Sequence, residues 1–461
     1  MPLPTIPSGN VASAVGGAFE VANSCRFNDG DSAYMTKTPG SDGNRQTFTI
    51  SVWVKRGTLG TIQNILGSSD SGFGNGLFLQ FQADNTLRFG FQDPNQFKAT
   101  NRVFRDVASW YHIVVAVNVN ESSNSDRVKI YVNGTQETSF GTDNTMTDAD
   151  KNWNNTQAHS IGRSGAHNSQ YFDGYLAEVV NIDGSQLAPT EFGEYDEDSP
   201  RVWKAKNVSG LSFGTNGFYL DYEDSSSLGN DKAGSNNFTS SGLAATDQST
   251  DTCTNNFVTW NPLDSHRSYS GTIDLSEGNL RQSNASDATL VSTMAVNKGK
   301  WYMEFKCEDA DNTRTFGIID ITESQGYVGH GSIASADSYG YKSTDGTLWS
   351  GTSTVASSVG TTSAGDIVSL LLDLDSGTKT IKWQKNGSDL SGTTQLTISQ
   401  SGYYWGIACR CDGGQVISAN FGSPAYAISS GNSDADGHGN FEYAVPSGYF
   451  ALCTKNLAEY G

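Results

Sequence analysis

The sequence predicts an all-β protein with two β-sandwich domains joined by a loop-rich connector, and three observations support this fold class. The 461 residues include 51 Gly but only 10 Pro, together with many Ser, Thr and Asn, a composition typical of frequent tight turns. Short runs of β-branched and aromatic residues recur at regular spacing, separated by turn dipeptides such as Asn133-Gly134. A chain of this length also has room for about three domains.

The first sandwich is predicted to occupy residues 25–193. Its closing strand lies in residues 161–184, which run from a Gly-Arg pair through a polar loop into a stretch of bulky and small residues and end on an Asp-Gly turn. After it, Pro189 and Glu191 predict the first turn of a short helix that ends at Gly193. This helix is expected to close one end of the sandwich.

Residues 1–24 precede the first sandwich. They are rich in Pro, Gly, Ala and Ser and show no hydrophobic periodicity. Such a segment is either an arm that becomes ordered against a partner or a flexible tail.

Residues 194–269 are predicted to form the connector, because their Asp-, Asn- and Ser-rich stretches are typical of loops. Asp and Asn oxygens in such loops can coordinate Ca²⁺. However, their order matches no EF-hand loop, and these residues favour turns by themselves. Residues 434–440 offer the same two interpretations, a cation-binding loop or a Gly-rich turn. Turns are the expectation for both segments, and no other cofactor is predicted.

The second sandwich is predicted over residues 270–461. Residues 299–306 alternate strictly, as expected for a strand with one buried face. Residues 366–373 form an apolar strand, and residues 379–387 form a Trp-containing strand that ends in Asn-Gly. Further short strands follow with the same turn chemistry.

The charge of the chain excludes one class of partner. The formal net charge is −20 with 17% charged residues, and no Lys or Arg cluster is present, so nucleic acid is not an expected partner. No apolar run approaches the ~18 residues of a membrane span, so membrane insertion is not expected either. Because no basic segment precedes an apolar run near Met1, we also expect synthesis in a cytoplasm without a secretory signal.

The six cysteines are predicted to be buried free thiols. Their spacing does not fit a zinc ribbon, and Cys409 and Cys411 lie on the same face of one predicted strand. An even number of cysteines does not by itself establish disulfide bonds.

Catalysis was considered and no catalytic residue is predicted. A glycan-cleaving enzyme needs paired carboxylates, and Glu194, Asp196 and Asp198 alternate, but their segment is predicted to be an exposed linker. Glu178 and Glu304 are isolated on their strands, where a hydrogen-bonded structural role is the expectation. The six histidines are scattered without metal-ligand spacing, so no metal site is predicted.

Two family resemblances emerge from the order of the motifs. The first half of the chain resembles a laminin-G-like, or concanavalin A-like, jelly-roll lectin domain that covers residues 25–193. The motifs that carry this resemblance, in this order, are residues 27–34, 48–55, 110–117, 128–134 and 161–184. The second half of the chain resembles a SPRY domain, a jelly-roll-type sandwich of related architecture. The motifs that carry this resemblance are a Gly-Lys-aromatic strand, a Tyr-Gly-Tyr before a Leu-Trp, and a terminal Asn-Phe-Gly.

Ligand-binding candidates are loop residues that pair amide or imidazole groups with aromatic rings, as sugar recognition requires. In the first domain they are Asn154, His167, Asn168, Gln170 and Tyr171. In the second, where the SPRY resemblance implies variable loops, they are Tyr327, His330, Tyr339, Tyr341 and Trp349. The alternative for both groups is an ordinary loop residue.

The combination of both domains with the stretch at residues 254–262 resembles virion fibre and appendage proteins of tailed bacteriophages. This resemblance implies a structural virion protein on the phage particle surface that binds a host-surface glycan or protein receptor. It also implies a homo-oligomer, a trimer in most such appendages, with residues 1–24 expected to attach to other virion proteins. The alternatives are a capsid or tail decoration protein and a glycan depolymerase.

Overall fold

The computed structural model describes residues 19–69, 76–92, 95–165, 169–264, 273–284, 288–309, 313–322, 328, 337–393, 395–411 and 413–461. The chain divides into two compact units, Met1–Asn256 and Phe257–Gly461. Antiparallel strands account for most of the regular secondary structure of both units, which confirms the predicted all-β fold class. Among the described residues no helix has the length and apolar character that crossing a membrane requires.

In the part that the structure describes, the first unit contains eighteen strands. They are β1 (Ser24–Phe27), β2 (Tyr34–Lys37), β3 (Thr47–Arg56), β4 (Gln63–Ser69), β5 (Leu77–Phe81), β6 (Thr86–Phe91), β7 (Gln96–Val103), β8 (Trp110–Asn118), β9 (Val128–Val132), β10 (Thr135–Gln136), β11 (Phe140–Asp143), β12 (Ala158–Ile161), β13 (Gly174–Asp183), β14 (Gly193–Tyr195), β15 (Trp203–Ala205), β16 (Phe218–Leu220), β17 (Thr239–Ser241) and β18 (Gln248–Ser249). Helix α1 (Asn124–Arg127) and three 3-10 turns (Asp29–Asp31, Pro189–Glu191 and Ala245–Asp247) complete it.

Two sheets face each other in this unit. Sheet I has the order β10-β9-β8-β3-β13-β1-β18, with β16 also paired to β13, and sheet II has the order β11-β7-β6-β5-β4-β12-β2-β17. Because side chains alternate along a strand, Phe48, Ile50 and Val52 of β3 enter the core together with Leu79 and Phe81 of β5. This apolar core holds the two sheets together as a β-sandwich.

The predicted helix after the closing strand is a single 3-10 turn. It covers Pro189–Glu191 and ends where the Phe192 N–H donates to the Pro189 carbonyl. Strand β14 begins at the next residue and pairs with β15.

The largest difference between the predicted and the observed domain organisation is in residues 194–269, which were predicted to form a connector. The residues of this segment up to Asn256 belong to the first unit. Strand β16 pairs with β13, β17 with β2 and β18 with β1, so this segment extends both sheets. The physical reason is apolar burial: the connector supplies side chains that cover the outer face of sheet I. The unit boundary therefore falls between Asn256 and Phe257, within the stretch that was predicted to link two domains.

Two apolar clusters cover the outer face of sheet I. In one, Trp53, Trp110 and Tyr175 of the sheet pack with Trp203 of the connector. In the other, Val114, Val180 and Ile182 of the sheet pack with Phe192, Val208 and Tyr219. This face of the sandwich is consequently buried within the unit itself.

The last residues of the predicted N-terminal arm also pack on the first unit. The Val21 N–H donates to Thr254 Oγ1 at 3.1 Å, and the Thr254 hydroxyl donates back to the Val21 carbonyl at 3.1 Å. Ser24 already begins β1. Residues 1–18, which make up most of the predicted arm, lie outside the described residues.

The second unit is also a sandwich. Its strands are β19 (Ile273–Ser276), β20 (Arg281–Asn284), β21 (Ala288–Val296), β22 (Lys300–Cys307), β23 (Arg314–Asp320), β24 (Ser338–Lys342), β25 (Thr347–Ser350), β26 (Ser353–Ala356), β27 (Ile367–Asp373), β28 (Thr380–Lys385), β29 (Ser388–Asp389), β30 (Gln395–Thr397), β31 (Trp405–Cys411), β32 (Val416–Asn420) and β33 (Phe450–Ala451), followed by helix α2 (Thr454–Tyr460).

Sheet III of this unit has the order β19-β20-β32-β22-β27-β28-β29, with β30 on β28 and β33 on β22, and sheet IV has the order β21-β31-β23-β24-β25-β26. Residues such as Met303, Phe316 and Trp383 fill the core between the two sheets. All six cysteines of the chain are buried as thiols, not joined in disulfide bonds, in agreement with the prediction.

Candidate functional site

The outer face of sheet II carries two rows of side chains that the strand register brings together. Successive cross-strand partners form the first row, which is Thr36, Ser160, Gly67, Phe78, Gly90 and Phe97. The second row is Asn64, Gln80, Arg88 and Ala99. Their neighbours along each strand, such as Leu79 and Phe89, point into the core, so alternation places both rows on the outer face.

Arg88 lies in an aromatic corner formed with Phe78 and Phe97. Its guanidinium carbon is 3.6 Å from the Phe97 ring centroid and 4.6 Å from that of Phe78, both within cation–π distance. Burial lowers the pKa of Arg88 from its usual value. Arg88 and Phe97 remain half-buried, whereas Phe78 is 6% exposed, so the corner has a closed base and an accessible upper part.

Gly90 allows the aromatic corner to form. A Cβ atom at Gly90 would lie 2.4 Å from the Cβ of Phe97, closer than real Cβ atoms approach other atoms. A side chain at this position would therefore push Phe97 away from Arg88.

A rim of polar and aromatic residues borders the second row. The Arg163 guanidinium carbon lies 3.4 Å from the Tyr34 ring centroid, and the rings of Tyr34 and Tyr171 are 6.4 Å apart. Gln170 connects the rim to the row, because its Oε1 accepts from Asn64 Nδ2 at 2.7 Å and its carbonyl accepts from the Asn64 N–H at 2.9 Å. The Oδ1 atom of Asn64 is buried and has no hydrogen-bond partner in the described part of the chain.

The structure brings together two of the five residues predicted for the first domain. Gln170 and Tyr171 lie at the rim just described. His167 and Asn168 lie outside the described residues. Asn154 lies at a different place in the unit. It contacts Asp183 at the end of β13, whereas Gln170 and Tyr171 precede the start of that strand. The ten residues of β13 span about 33 Å, so the two positions are far apart.

Asn154 has a structural role that does not agree with its predicted role in ligand binding. It is completely buried, and its side-chain amide donates to Asp183 Oδ1 at 3.1 Å and accepts from Asn181 Nδ2 at 2.8 Å. Its N–H donates to His159 Nε2 at 3.0 Å. Because its polar atoms are used inside the unit, Asn154 holds the loop before β12 against the end of β13.

In the second unit, Tyr339 and Tyr341 are also buried, in disagreement with the predicted rim. Both rings enter the core of the sandwich, where Tyr339 packs on Trp405 and Tyr341 packs on Trp383. The Tyr341 hydroxyl donates to the Gly360 carbonyl at 2.8 Å. The alternation in Ser-Tyr-Gly-Tyr-Lys, with the two rings two residues apart on one face, was the signal for this burial.

Trp349 is the third described residue of that group, and it lies on the opposite face of sheet IV from the two tyrosines. It pairs with Gly340 across the strands and is half-buried, and its Nε1 has no hydrogen-bond partner among the described residues. Tyr327 and His330 lie outside the described residues. The predicted group in the second unit is therefore not assembled into one site by the residues that the structure describes.

The two isolated carboxylates, Glu178 and Glu304, each have hydrogen-bond partners within their own unit. Glu304 is fully buried and accepts from the Tyr302 hydroxyl, the Glu442 N–H and the Tyr443 N–H, each at 2.9 Å, as expected for a structural residue. Glu178 lies on β13 and accepts from the Tyr219 hydroxyl at 2.7 Å, and burial raises its pKa to about 8.

The two segments with a Ca²⁺ interpretation form turns. Asp231 accepts from the Tyr219 N–H at 2.9 Å and the Asn236 N–H at 2.8 Å. Asp434 accepts from the His438 N–H at 2.8 Å and from Asn456 Nδ2 at 2.8 Å. No group of three or more His, Cys, Asp or Glu residues with metal-binding geometry occurs in the part of the chain that the structure describes.

Sequence reasoning missed Asn64, Gln80, Arg88 and Phe97. Alternation in β5 and β6 already placed Gln80 and Arg88 on one face. What the sequence did not reveal was that the connector covers the outer face of sheet I, whereas Arg88 and Phe97 on the outer face of sheet II stay half-buried.

A family model described as the concanavalin A-like lectin/glucanases superfamily matches residues 29–185. No curated protein matches the chain. The first unit thus contains a lectin-like β-sandwich, in agreement with the laminin-G-like resemblance.

Several solved structures are similar to parts of the chain. The SPRY domain of human HERC1 is 14% identical and aligns over 35% of this chain and 96% of its own, with a TM-score of 0.28. A candidate carbohydrate-binding protein from Bacteroides ovatus is 15% identical over 48% of this chain and 58% of its own, with a TM-score of 0.31. A heptameric pentraxin from Limulus polyphemus is 14% identical over 37% of this chain and 80% of its own, with a TM-score of 0.28.

Proposed function

We propose that the first unit binds a glycan on the outer face of sheet II, and that the protein is a surface appendage of a tailed bacteriophage that recognises its host. The observation that carries the proposal is the asymmetry of the sandwich. Sheet I is sealed by the connector, whereas the outer face of sheet II leaves Arg88 and Phe97 half-buried, with Tyr34, Gln170 and Tyr171 half-buried at its rim.

These groups suit a sugar. The hydroxyl groups of a pyranose need donors and acceptors at fixed positions, which the half-buried Gln170 and Arg88 supply. Apolar sugar faces pack on aromatic rings, which Phe97, Tyr34 and Tyr171 supply.

The match to the concanavalin A-like lectin/glucanases superfamily supports a carbohydrate-binding role for this unit. That superfamily includes both binding proteins and enzymes. We infer binding without catalysis, because the described carboxylates on sheet II do not form a pair like that of a glycosidase. Asp196 belongs to the alternating acidic segment that was the strongest catalytic candidate in the sequence. Its carboxylate accepts hydrogen bonds from the N–H groups of Asp198 and Ser199.

The virion role follows from the phage resemblance of the domain combination. In this proposal, residues 1–18 attach the protein to other virion proteins, the assembly is a homotrimer, and the sheet II faces point away from the particle. The net charge of −20 keeps such appendages apart in solution.

The test measures binding of the labelled full-length protein to cells of the phage host, with competition against phage adsorption. Phe97→Ala should weaken cell binding about tenfold, because an aromatic stacking contact contributes about 1–2 kcal/mol. Val103→Ala is the matched control, since Val103 lies on the same strand, is 44% exposed and is outside the aromatic corner.

Saturable binding that Phe97→Ala weakens and Val103→Ala preserves would support the proposal. A folded protein that binds neither host cells nor host polysaccharide would overturn it and would favour a decoration role on the particle. Release of reducing ends from the polysaccharide would instead identify a depolymerase.

A further inference from the structure

We propose that the side chains of Lys55 and Asn256 become joined by an isopeptide bond, and that Asp251 carries the protons in this reaction. The bond links strand β3 to the last residue of the first unit. It is a covalent modification of the chain, and it forms whether or not the protein binds a glycan. The structure shows the three groups before the bond is made, with Lys55 and Asp251 as an ion pair.

The first step is the distance between the reacting groups. Lys55 Nζ donates to Asn256 Oδ1 at 2.7 Å and to Asp251 Oδ2 at 2.6 Å. Because a carbonyl bond is about 1.2 Å long, the Cγ atom of Asn256 lies no more than about 4 Å from Nζ. Reacting atoms that are ready for attack are about 3–3.5 Å apart. The amine therefore has to move by less than about 1 Å to reach the carbon atom.

The second step is the exclusion of water from the three groups. Lys55 and Asp251 are each 1% exposed, and Asn256 is 3% exposed. On the outer face of sheet I, Lys55 lies across the strands from Trp110 on one side and from Tyr175 on the other. Its Nζ is 5.5 Å from the centroid of the Tyr175 ring. Burial of this kind strengthens the electrostatic interactions in a reactive site and protects its intermediates from hydrolysis.

The third step is the orientation of the two partners of Lys55. Trp110 Nε1 donates to Asp251 Oδ1 at 3.1 Å, and the other oxygen, Oδ2, faces the amine. Asn256 Nδ2 donates to the Ala108 carbonyl at 2.5 Å, which directs the amide oxygen towards Lys55. Groups held in fixed positions react far faster than the same groups on separate molecules.

These positions define a balanced reaction. Asp251 accepts a proton from Nζ, and the neutral amine attacks Cγ of Asn256. Asp251 returns that proton to Nδ2, the Cγ–Nδ2 bond breaks, and Nδ2 leaves as ammonia. A second proton passes from Nζ to Asp251 as the new Nζ–Cγ amide forms. Nothing is oxidised or reduced, and no cofactor takes part.

The fourth step is the driving force, which a second lysine of the unit makes clear. Lys98 Nζ lies 2.5 Å from Asp143, but that carboxylate is 42% exposed, whereas both side chains of the Lys55–Asp251 pair are 1% exposed. The removal of two charges from water is costly even when they are paired. Conversion of the ammonium and the carboxylate into an amide and a carboxylic acid removes both charges from the interior, which favours the bonded product.

The first experiment measures the mass of the intact, unmodified full-length protein and then sequences its protease fragments by tandem mass spectrometry. The protein should be lighter than its sequence by the mass of one ammonia molecule. The digest should contain a branched fragment in which the peptide around Lys55 is joined to the peptide around Asn256. Tryptophan fluorescence of the same sample checks that the protein is folded.

The second experiment uses Lys55→Arg and Asp251→Ala, with Lys98→Arg as the matched control. Lys55→Arg keeps the positive charge but removes the amine, and Asp251→Ala removes the proton carrier. Both variants should have the full mass of their sequences and no branched fragment. Lys98→Arg changes another buried lysine that is paired with a carboxylate, and it should retain both the loss of one ammonia and the branched fragment.

Three results would overturn the proposal. The first is a folded, unmodified protein that has the full mass of its sequence and gives no branched fragment. The second is a loss of ammonia that maps to any other residue, and the third is a branched fragment that persists in Lys55→Arg. Because the unmodified protein decides the question by itself, a folding defect in a variant would not obscure the result. Failure of this proposal would leave the proposed glycan binding unaffected.

Discussion

The two sheets of the first unit differ in how their outer faces are covered. Each sheet contributes its inward side chains to the common core, and each has a second face that the core does not use. On sheet I that face holds Trp53, Trp110 and His112 and is sealed by residues that follow the sandwich in the chain. On sheet II it holds amides, Arg88 and half-buried rings.

The difference shows that the segment after a sandwich can seal one of its two outer faces. The sealed face is fixed by specific bonds as well as by apolar contact. Lys55 Nζ lies 2.6 Å from Asp251 Oδ2 and 2.7 Å from Asn256 Oδ1, and Trp110 Nε1 donates to Asp251 Oδ1 at 3.1 Å. These contacts attach the end of the connector to β3 and β8.

The largest expected effect comes from breaking the buried ion pair. In Asp251→Asn, the buried Lys55 would lose the carboxylate that lies 2.6 Å from its Nζ, and the first unit should lose about 3–5 kcal/mol of unfolding free energy. Urea unfolding of the full chain, followed by tryptophan fluorescence, measures this loss. Asp42→Asn is the control, because its pair with Arg45 is exposed and contributes about 0–1 kcal/mol. Similar losses in both variants would contradict the importance of the sealed face.

The next effect is a loss of stability in acid. Burial lowers the pKa of His112 to about 3 and that of His159 to about 4. Trp203 Nε1 donates to His112 Nδ1 at 2.9 Å, so the folded state holds the neutral ring. The unfolded chain takes up a proton below pH of about 6.5, so the stability of the first unit should fall by a few kcal/mol as the pH drops from about 6.5 towards 4.

His112→Gln tests this acid sensitivity, because glutamine can accept from Trp203 but does not titrate in this range. Urea midpoints measured across the pH range should show a shallower decline in His112→Gln than in the unmodified protein. His438→Gln, on a turn of the second unit, should follow the unmodified protein. An unchanged decline in His112→Gln would mean that other groups control the acid response.

A smaller effect of opposite sign is expected at Glu178, which also lies beneath the connector. Burial raises its pKa to about 8 from the usual 4.5, so its contribution is complete below pH 4.5 and is lost as the pH rises through about 8. Glu178→Gln should therefore match the unmodified protein at pH 5 and exceed its stability by about 2 kcal/mol at pH 9. The same difference at both pH values would show that ionisation of Glu178 is not the cause.

The smallest effect on stability is expected on the accessible face. Tyr171→Ala removes a half-buried ring at the rim and should change the unfolding free energy by about 1 kcal/mol or less, while weakening glycan binding measurably. Thermal unfolding and cell binding of the same preparation check both parts. A large loss of stability would place Tyr171 in the packing of the unit, together with the sealed face.

Local sequence pattern predicted much of the fold. Alternation along strands such as β3 and β22, and turn dipeptides such as Asn133-Gly134, were sufficient for the all-β class. Free buried thiols and the structural role of Glu304 were also correctly predicted, because both follow from placing a residue on a strand with one buried face.

The parts that were not predicted depend on contacts between distant segments. Strand β16 joins β13, but its three residues lie among Asp- and Asn-rich turns and gave no strong signal of their own. Asn154 looked like a loop amide, and only the positions of Asn181 and Asp183 turn it into a buried contact. Likewise, Arg88 became a candidate only when register placed it between Gln80 and Ala99.

The pairing of β1 with β18 has a mechanical consequence. Ser24 lies opposite Ser249, and Cys25 lies opposite Gln248, so the first strand of the unit and its last strand are neighbours. A pulling force applied between residues 19 and 256 would act at the same end of this ladder and would peel it apart one bond at a time. The Val21 to Thr254 contact and the Lys55 to Asp251 pair lie at the point where peeling would begin. Tension carried along the chain would therefore strain the β1–β18 ladder and these two contacts first.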